Sequence, residues 1–97
     1  MAQVVYSADA LADLERLIEF LLQSAPEAAA PALAQIQSAI LILESHPRIG
    51  RRVDAHRREL VISQGASGYL ALYRHDVARD VVRVLRLRHQ REAGFRD

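Results

Sequence analysis

The sequence predicts one α+β domain: a short N-terminal strand, then an antiparallel helix hairpin packed on a small antiparallel β-sheet. Three observations predict it. Apolar residues recur at steps of three and four up to about residue 43, they alternate at a period of two from about residue 57, and His46-Pro47 separates the two regimes. The 97 residues suffice for one core and are too few to divide, so residues 1–97 are read as a single domain. With 51% hydrophobic and 26% charged residues the composition is globular, which excludes a disordered chain.

Val4-Val5-Tyr6 is a short β-prone run, and Ser7 follows as an N-cap with Asp9 placed at the positive pole of the helix it opens. Leu11, Leu14, Ile18 and Leu21 form the apolar stripe of that helix, which is expected to end between Gln23 and Ala25. Pro26 suits the first turn of a second helix, where its missing N–H costs nothing, and Leu33, Ile36, Ile40 and Leu43 repeat the stripe. Pro31 inside that pattern either kinks the helix or marks its true start. Strands are then expected over Arg57–Ile62, Tyr69–Arg74 and Val81–Arg88, with a turn in Gln64–Gly68 and a short polar link from His75 to Asp80. The order is β-α-α-β-β-β, followed by a tail from Gln90 to Asp97 that is expected to be flexible when alone.

The last strand breaks the pattern. Val82 and Val84 share a face with Arg86 and Arg88, whereas Leu85 and Leu87 fall on the other, so both faces read as partly apolar. One helix hairpin covers one face. The second is expected to be closed by the tail with Phe95 or by a partner, unless a bulge swaps faces within an ordinary core.

Charge is segregated as well. Up to Ser45 a single Arg stands against six carboxylates, a balance of −5, and from His46 twelve Arg stand against six, a balance of +6, although the net charge is +1. Such asymmetry points to a cationic surface in the second half that meets a nucleic acid or an acidic peptide. There is no Lys and no Cys, which excludes disulfides and thiolate metal sites, and the scattered His residues disfavour any metal. No apolar run spans a bilayer and no signal peptide is read, so a cytoplasmic protein without membrane association or cofactor is expected.

These residues together resemble the RelE/ParE toxins of type II toxin–antitoxin systems, the ParE branch in particular. The resemblance runs from about residue 4 to 91. It is carried by Ser7…Ala10…Asp13-Leu14…Ile18, Ala25-Pro26-Glu27-Ala28-Ala29, Leu43…His46-Pro47…Gly50-Arg51, Arg58-Glu59-Leu60-Val61-Ile62, Tyr69…Leu72-Tyr73-Arg74, and Val81-Val82-Arg83-Val84-Leu85-Arg86…His89…Arg91. It implies a cognate antitoxin whose C-terminal segment wraps the toxin in a hetero-oligomer, and a target that is DNA gyrase for ParE-like members or messenger RNA in the ribosome for RelE-like ones. The residues expected to face such partners are Arg57, Arg58, Leu60, Tyr69, Tyr73, Arg74, Arg83, Leu85, Arg86, Leu87, Arg88 and Phe95.

RNA cleavage needs a base, an acid and cations at the phosphate. The resemblance implies that RelE-type enzymes supply several of these from lysine and arginine, with a tyrosine near the C-terminus, and this chain has no lysine. A substitute set would be His89 as base or acid, Arg86 and Arg88 as phosphate clamps, and Tyr73 orienting the substrate. No carboxylate lies near His89 in sequence to fix its tautomer. The reading favoured is therefore a non-enzymatic gyrase inhibitor with no catalytic residues; a ribosome-dependent endoribonuclease and a degenerate, harmless antitoxin binder are the alternatives. Direct nucleic-acid binding is less favoured than a protein partner, because aromatic residues are few and no nucleic-acid motif is present.

Overall fold

The computed structural model describes residues 1–62, 68–92 and 94–95. Strand β1 (Gln3–Tyr6) leads to Ser7, whose extended backbone takes the chain out of the strand and whose Oγ accepts from Ala10 N–H at 3.0 Å. This N-cap opens α1 (Ala8–Ser24), with Asp9 in its first turn. Ala25 N–H returns to the Leu21 carbonyl at 2.7 Å, and Pro26 starts α2 (Pro26–Leu41) with no intervening loop. α2 runs through Pro31 rather than beginning there, and one 3₁₀ turn (Ile42–Glu44) ends it.

The buried stripe of α1 is rotated from the one expected, whereas that of α2 keeps the expected Ile36, Ile40 and Leu43. On α1 the deepest residues are Ala10, Asp13 and Leu17, while Leu11 is half exposed and Leu14, Ile18 and Leu21 flank the core. On α2 they are Ala29, Ala32, Ile36 and Ile40, with Leu43 beyond. Ala10, Ala29 and Ala32 are buried alongside these larger residues, a contribution that a search for large apolar residues passes over.

Four further strands, β2 (Arg51–Arg52), β3 (Arg58–Val61), β4 (Tyr69–Asp76) and β5 (Val81–His89), complete a five-stranded sheet in the order β1-β5-β4-β3-β2. The sheet is mixed, not purely antiparallel, because β1 pairs in parallel with β5, Tyr6 opposite Val84. No hairpin joins those two strands, so no turn dictates their direction. β2 was not expected as a strand. His75, expected in a turn, extends β4 opposite Val82, and the reversal follows at residues 77–80 with Asp80 in the left-handed region at φ 51°, which Asp tolerates. The turn expected in Gln64–Gly68 lies, except for Gly68, outside the described residues.

A bulge decides what β5 buries. Tyr73 pairs with Val84 but Leu72 pairs with Arg86, so Leu85 is the extra residue. Val82, Val84 and Leu87 consequently all face the helices and are fully buried, beside Ala71 and Tyr73 of β4. The expected bulge is present. β1 ends at Tyr6, so α1 takes over as the neighbour of β5: Ser7 N–H donates to Val84 O (2.9 Å), Ser7 Oγ donates to Leu85 O (2.9 Å), and Asp13 Oδ2 accepts from Leu87 N–H (2.9 Å). Arg86 closes the arrangement with Nε and Nη2 on the two Asp13 oxygens at 2.8 and 3.1 Å.

The sheet face away from the helices is covered at one end by the tail, one of the two outcomes expected for it. Leu70 and Leu72 point there yet are only 7% and 6% exposed. Leu70 pairs with Arg88, whose guanidinium lies over the Phe95 ring at 5.0 Å and donates to the Glu92 carbonyl at 2.8 Å. Arg16 holds the Glu92 carboxylate at 2.7 Å. The tail is thus tied down at Glu92 and Phe95 and closes this end of the face, while Ala93, Arg96 and Asp97 lie outside the described residues.

Removing a buried partner of an ion pair costs roughly 3–5 kcal/mol because the other charge is stranded. Asp13→Ala removes the carboxylate that Arg86 Nε and Nη2 and Leu87 N–H share, and urea denaturation is expected to show a loss of about that size. Burial pushes the Asp13 carboxyl up, but the Arg86 and Leu87 hydrogen bonds and the charges of Arg86 and Arg16 outweigh it and hold its pKa below the ordinary value. Its stabilisation is therefore complete above the unfolded pKa and disappears as pH falls through the lowered folded value; the variant's stability should lack this component.

Gly50 packs against the fully buried Tyr73. A Cβ there would lie 2.7 Å from the ring Cε1 and hydroxyl and 2.8 Å from the Glu59 carbonyl, while Gly50 N–H donates to the same hydroxyl at 2.9 Å. Gly50→Ala is expected to lower stability by about 1–3 kcal/mol, the usual cost of overpacking, measured as a shift in urea midpoint at unchanged m-value.

Candidate functional site

At the end of the sheet remote from the tail, two shallow depressions adjoin. The first, about 440 Å³, lies on the helix-free face where Arg74, Asp76, Val81, Arg83 and Leu85 meet Asp54, His56 and Arg57. The second, about 400 Å³, shares Asp54, His56, Arg57, Arg74 and Asp76 and adds Arg48, Arg52, Ala55, Arg58, His75 and Val77.

The loop between β2 and β3 supplies the shared wall, and Asp54 fixes its shape. Its Oδ1 accepts from the N–H groups of His56 (2.9 Å) and Arg57 (2.8 Å), and its Oδ2 accepts from Arg57 Nε at 2.7 Å. Val53 N–H closes the loop on Arg57 O at 2.9 Å. These are the local side-chain-to-backbone bonds that Asp favours in turns. Chiefly through the Arg57 hydrogen bond, the Asp54 carboxyl is pulled down to about 2.

The arginines divide by partner. Arg16, Arg51, Arg57 and Arg86 face Glu92, Glu59, Asp54 and Asp13 respectively. Arg58 donates Nη1 to the carbonyls of Arg48 (3.1 Å) and Gly50 (2.8 Å), and Arg52 reaches the Ala55 carbonyl at 3.4 Å. Arg48, Arg74 and Arg83 have no acidic partner among the described residues. Arg79, Arg88 and Arg91 likewise meet no carboxylate among the described residues, but Arg48, Arg52, Arg58, Arg74 and Arg83 line these depressions, which therefore hold most of the unneutralised charge.

Of the residues expected to face partners, Arg57, Arg74, Arg83 and Leu85 line the first depression and Arg58 the second. Arg88 and Phe95 pack on each other, and Leu60 lies half-buried against the core. Tyr69, Tyr73 and Leu87 are corrections, since all three are buried core residues on the helix side. The bulge accounts for Leu87, and β4, with neighbours on both sides, accounts for the tyrosines.

The substitute ribonuclease set does not converge. Burial pushes the Tyr73 phenol up even against the Gly50 N–H and the Arg58 charge, so it does not ionise near neutrality. Arg86 is clamped by Asp13 and Arg88 by the tail. The His89 ring stands edge-on to Tyr69 at 5.4 Å, and its Nδ1 accepts from Arg91 N–H at 3.1 Å. Neither depression includes any of the four. Among the described residues no group of three His, Cys, Asp or Glu is placed to hold a metal ion, and no helix is long and apolar enough to cross a membrane.

Sequence reasoning did not single out Asp54, His56 or Asp76 as part of a site, and it took Arg48 and Arg52 as loop arginines able to fork onto phosphate or carboxylate but more simply solvated. The available signal was the density of Arg between residues 48 and 58 around one Asp. If Asp54 organises this wall, its carboxyl titrates near 2 rather than 3.8, and the loop contacts it makes hold at any pH above the unfolded value and fail as pH drops through about 2. Carboxyl carbon shifts measured by NMR against pH should show this, and Arg57→Gln should move the midpoint upward.

The likenesses to known proteins agree with the fold. Residues 4–94 match the family model of the ParE toxin of the type II toxin–antitoxin system parDE. Toxin RelE3 of Caulobacter vibrioides is 42% identical over 80 residues, 82% of this chain and 85% of that protein. Toxin RelE2 of the same organism is 36% identical over 89 residues, 92% of this chain and 96% of that protein. Among solved structures, a chain of the chromosomal ParDE system of P. aeruginosa superposes with a TM-score of 0.75 at 22% identity, covering 92% of this chain and 96% of its own. One from the RelBE2 toxin–antitoxin complex of Mycobacterium tuberculosis superposes with a TM-score of 0.54 at 27% identity, covering 92% and 98%. With the helix hairpin, the mixed sheet and the family match in agreement over nearly the whole length, this chain belongs to the ParE toxin family and is the toxin of a type II toxin–antitoxin system.

Proposed function

We propose that this toxin acts in the cytoplasm by inhibiting DNA gyrase without cleaving RNA, and that the C-terminal segment of a cognate antitoxin neutralises it. The observation that carries the first part is the fate of the four candidate catalytic groups. A general base must reach the proton it removes and clamps must reach the phosphate, whereas Tyr73 is sealed in the core, Arg86 and Arg88 are tied down, and His89 is packed on Tyr69. The absence of lysine supports the same reading. Names alone do not discriminate, since the family match is to ParE and the relatives carry RelE names.

For the antitoxin, the first depression offers what an acidic, amphipathic segment needs. Val81 and Leu85 supply apolar contact, and Arg74 and Arg83 supply cations without acidic partners among the described residues. Half-exposed Leu11, Leu22, Leu41 and Ile42 on the hairpin give a wrapping chain further apolar surface.

Purified toxin is expected to block gyrase supercoiling at micromolar concentration, and induced cells are expected to filament with their transcripts intact. His89→Ala should remain as toxic as the parent. Cuts in translated messages that vanish in His89→Ala would instead establish the ribonuclease. Normal growth on induction without antitoxin would mark a protein that binds its antitoxin and harms nothing.

A further inference from the structure

We infer that the second depression is a binding site for the phosphate backbone of double-stranded DNA. Five arginines, Arg48, Arg52, Arg57, Arg58 and Arg74, stand there against two aspartates. Both aspartates are already engaged, Asp54 by Arg57 and the loop N–H groups and Asp76 by Arg79 N–H at 3.2 Å. The guanidiniums of Arg48 and Arg74 meet no carboxylate among the described residues, and Arg52 and Arg58 contact only uncharged carbonyls. Such a cluster is costly to assemble through self-repulsion, and an anion that bridges its members removes that cost.

The lining selects among anions. A peptide held at an interface needs a desolvated apolar or aromatic anchor, and Ala55 and Val77 are the largest apolar side chains the depression offers. Leu85 and Val81 belong to its neighbour. Single-stranded nucleic acid is held by stacking on aromatic platforms, and no Phe, Tyr or Trp lines the depression. Duplex backbone requires neither. It is bound by guanidiniums that fork onto phosphate oxygens and displace counterions, without sequence readout, so the missing base-reading motif does not weigh against it. The loop carrying Arg57 is rigidified by Asp54, which keeps the wall in place before the ligand arrives.

Fluorescence anisotropy of a labelled 20-base-pair duplex of arbitrary sequence, titrated with the full-length toxin at several salt concentrations, tests this. Neutralisation of about four phosphates predicts a slope of log affinity against log salt near −3.6. Arg48→Gln/Arg74→Gln, in which both altered side chains are exposed and unbonded, should fold normally and reduce the slope by about 2. Arg91→Gln, outside the depression, should bind as the parent does. Absence of duplex binding at ~100 µM protein and low salt, an unchanged slope in the double variant, or tighter binding of a poly-glutamate peptide or a single strand than of the duplex would each overturn the inference. The assay contains neither gyrase nor antitoxin, so its failure leaves the proposed target standing.

Discussion

The fold depends on how α1 answers the bulge in β5. A bulge leaves backbone groups outside the ladder, and a buried, unpaired N–H or C=O costs about as much as a lost hydrogen bond. β1 has ended by then, so on the edge away from β4 no strand is available to pair with residues 85–87. Ser7 and Asp13 substitute for it, one donating to the Leu85 carbonyl and the other accepting from Leu87 N–H. Ser7 does two jobs with one oxygen, capping α1 while docking its start on the sheet. The angle and register of the helix hairpin on the sheet follow from these bonds, as does the common burial of Val82, Val84 and Leu87.

The same device governs where charge collects. Asp13 consumes Arg86, Glu92 consumes Arg16, and Glu59 consumes Arg51, all near the middle or the tail end of the molecule. The end with the β2–β3 loop and the β4–β5 turn has Asp54, Asp76 and Asp80, but these are occupied by Arg57, by the Arg79 N–H and by His75. The carboxylates of the helices lie on elements that back the opposite sheet face. Arg74 and Arg83 therefore project from the helix-free face with no internal partner, and the segregation seen in the linear sequence becomes a segregation in space.

Local signals were legible and non-local ones were not. The Ser7 cap, the Pro26 start of α2 and the starts of β4 and β5 follow from side-chain chemistry within a few residues and were readable, whereas the polar His75 and Asp76 hid the last two residues of β4. The parallel pairing of β1 with β5 joins residues nearly eighty positions apart and leaves no turn signature. The two-residue β2 is too short to show alternation. The bulge was legible as an ambiguity, because strict alternation in β5 puts Leu87 on the wrong face; what resolved it was Asp13, a carboxylate on an apolar helix stripe whose partner could not be seen from sequence. For the candidate site, Arg74 and Arg83 were expected from their strand positions to face a partner, and both line the first depression. Tyr69, Tyr73 and Leu87 were misplaced because aromatic and apolar residues in a strand look alike whether they face a partner or the core.

Net charge says little about such a molecule. At physiological ionic strength the Debye length is about 8 Å, shorter than the 25 Å of even the narrower axes here, so an approaching ligand responds to the charges within one depression and not to the total of +1. Acidic residues on the far side of the helices are screened from the arginines of the sheet, and they neither neutralise them nor weaken their field at the surface. Segregation on this length scale lets a nearly neutral protein present a strongly cationic patch, with arginine supplying at each point a planar fork that stays charged at every accessible pH.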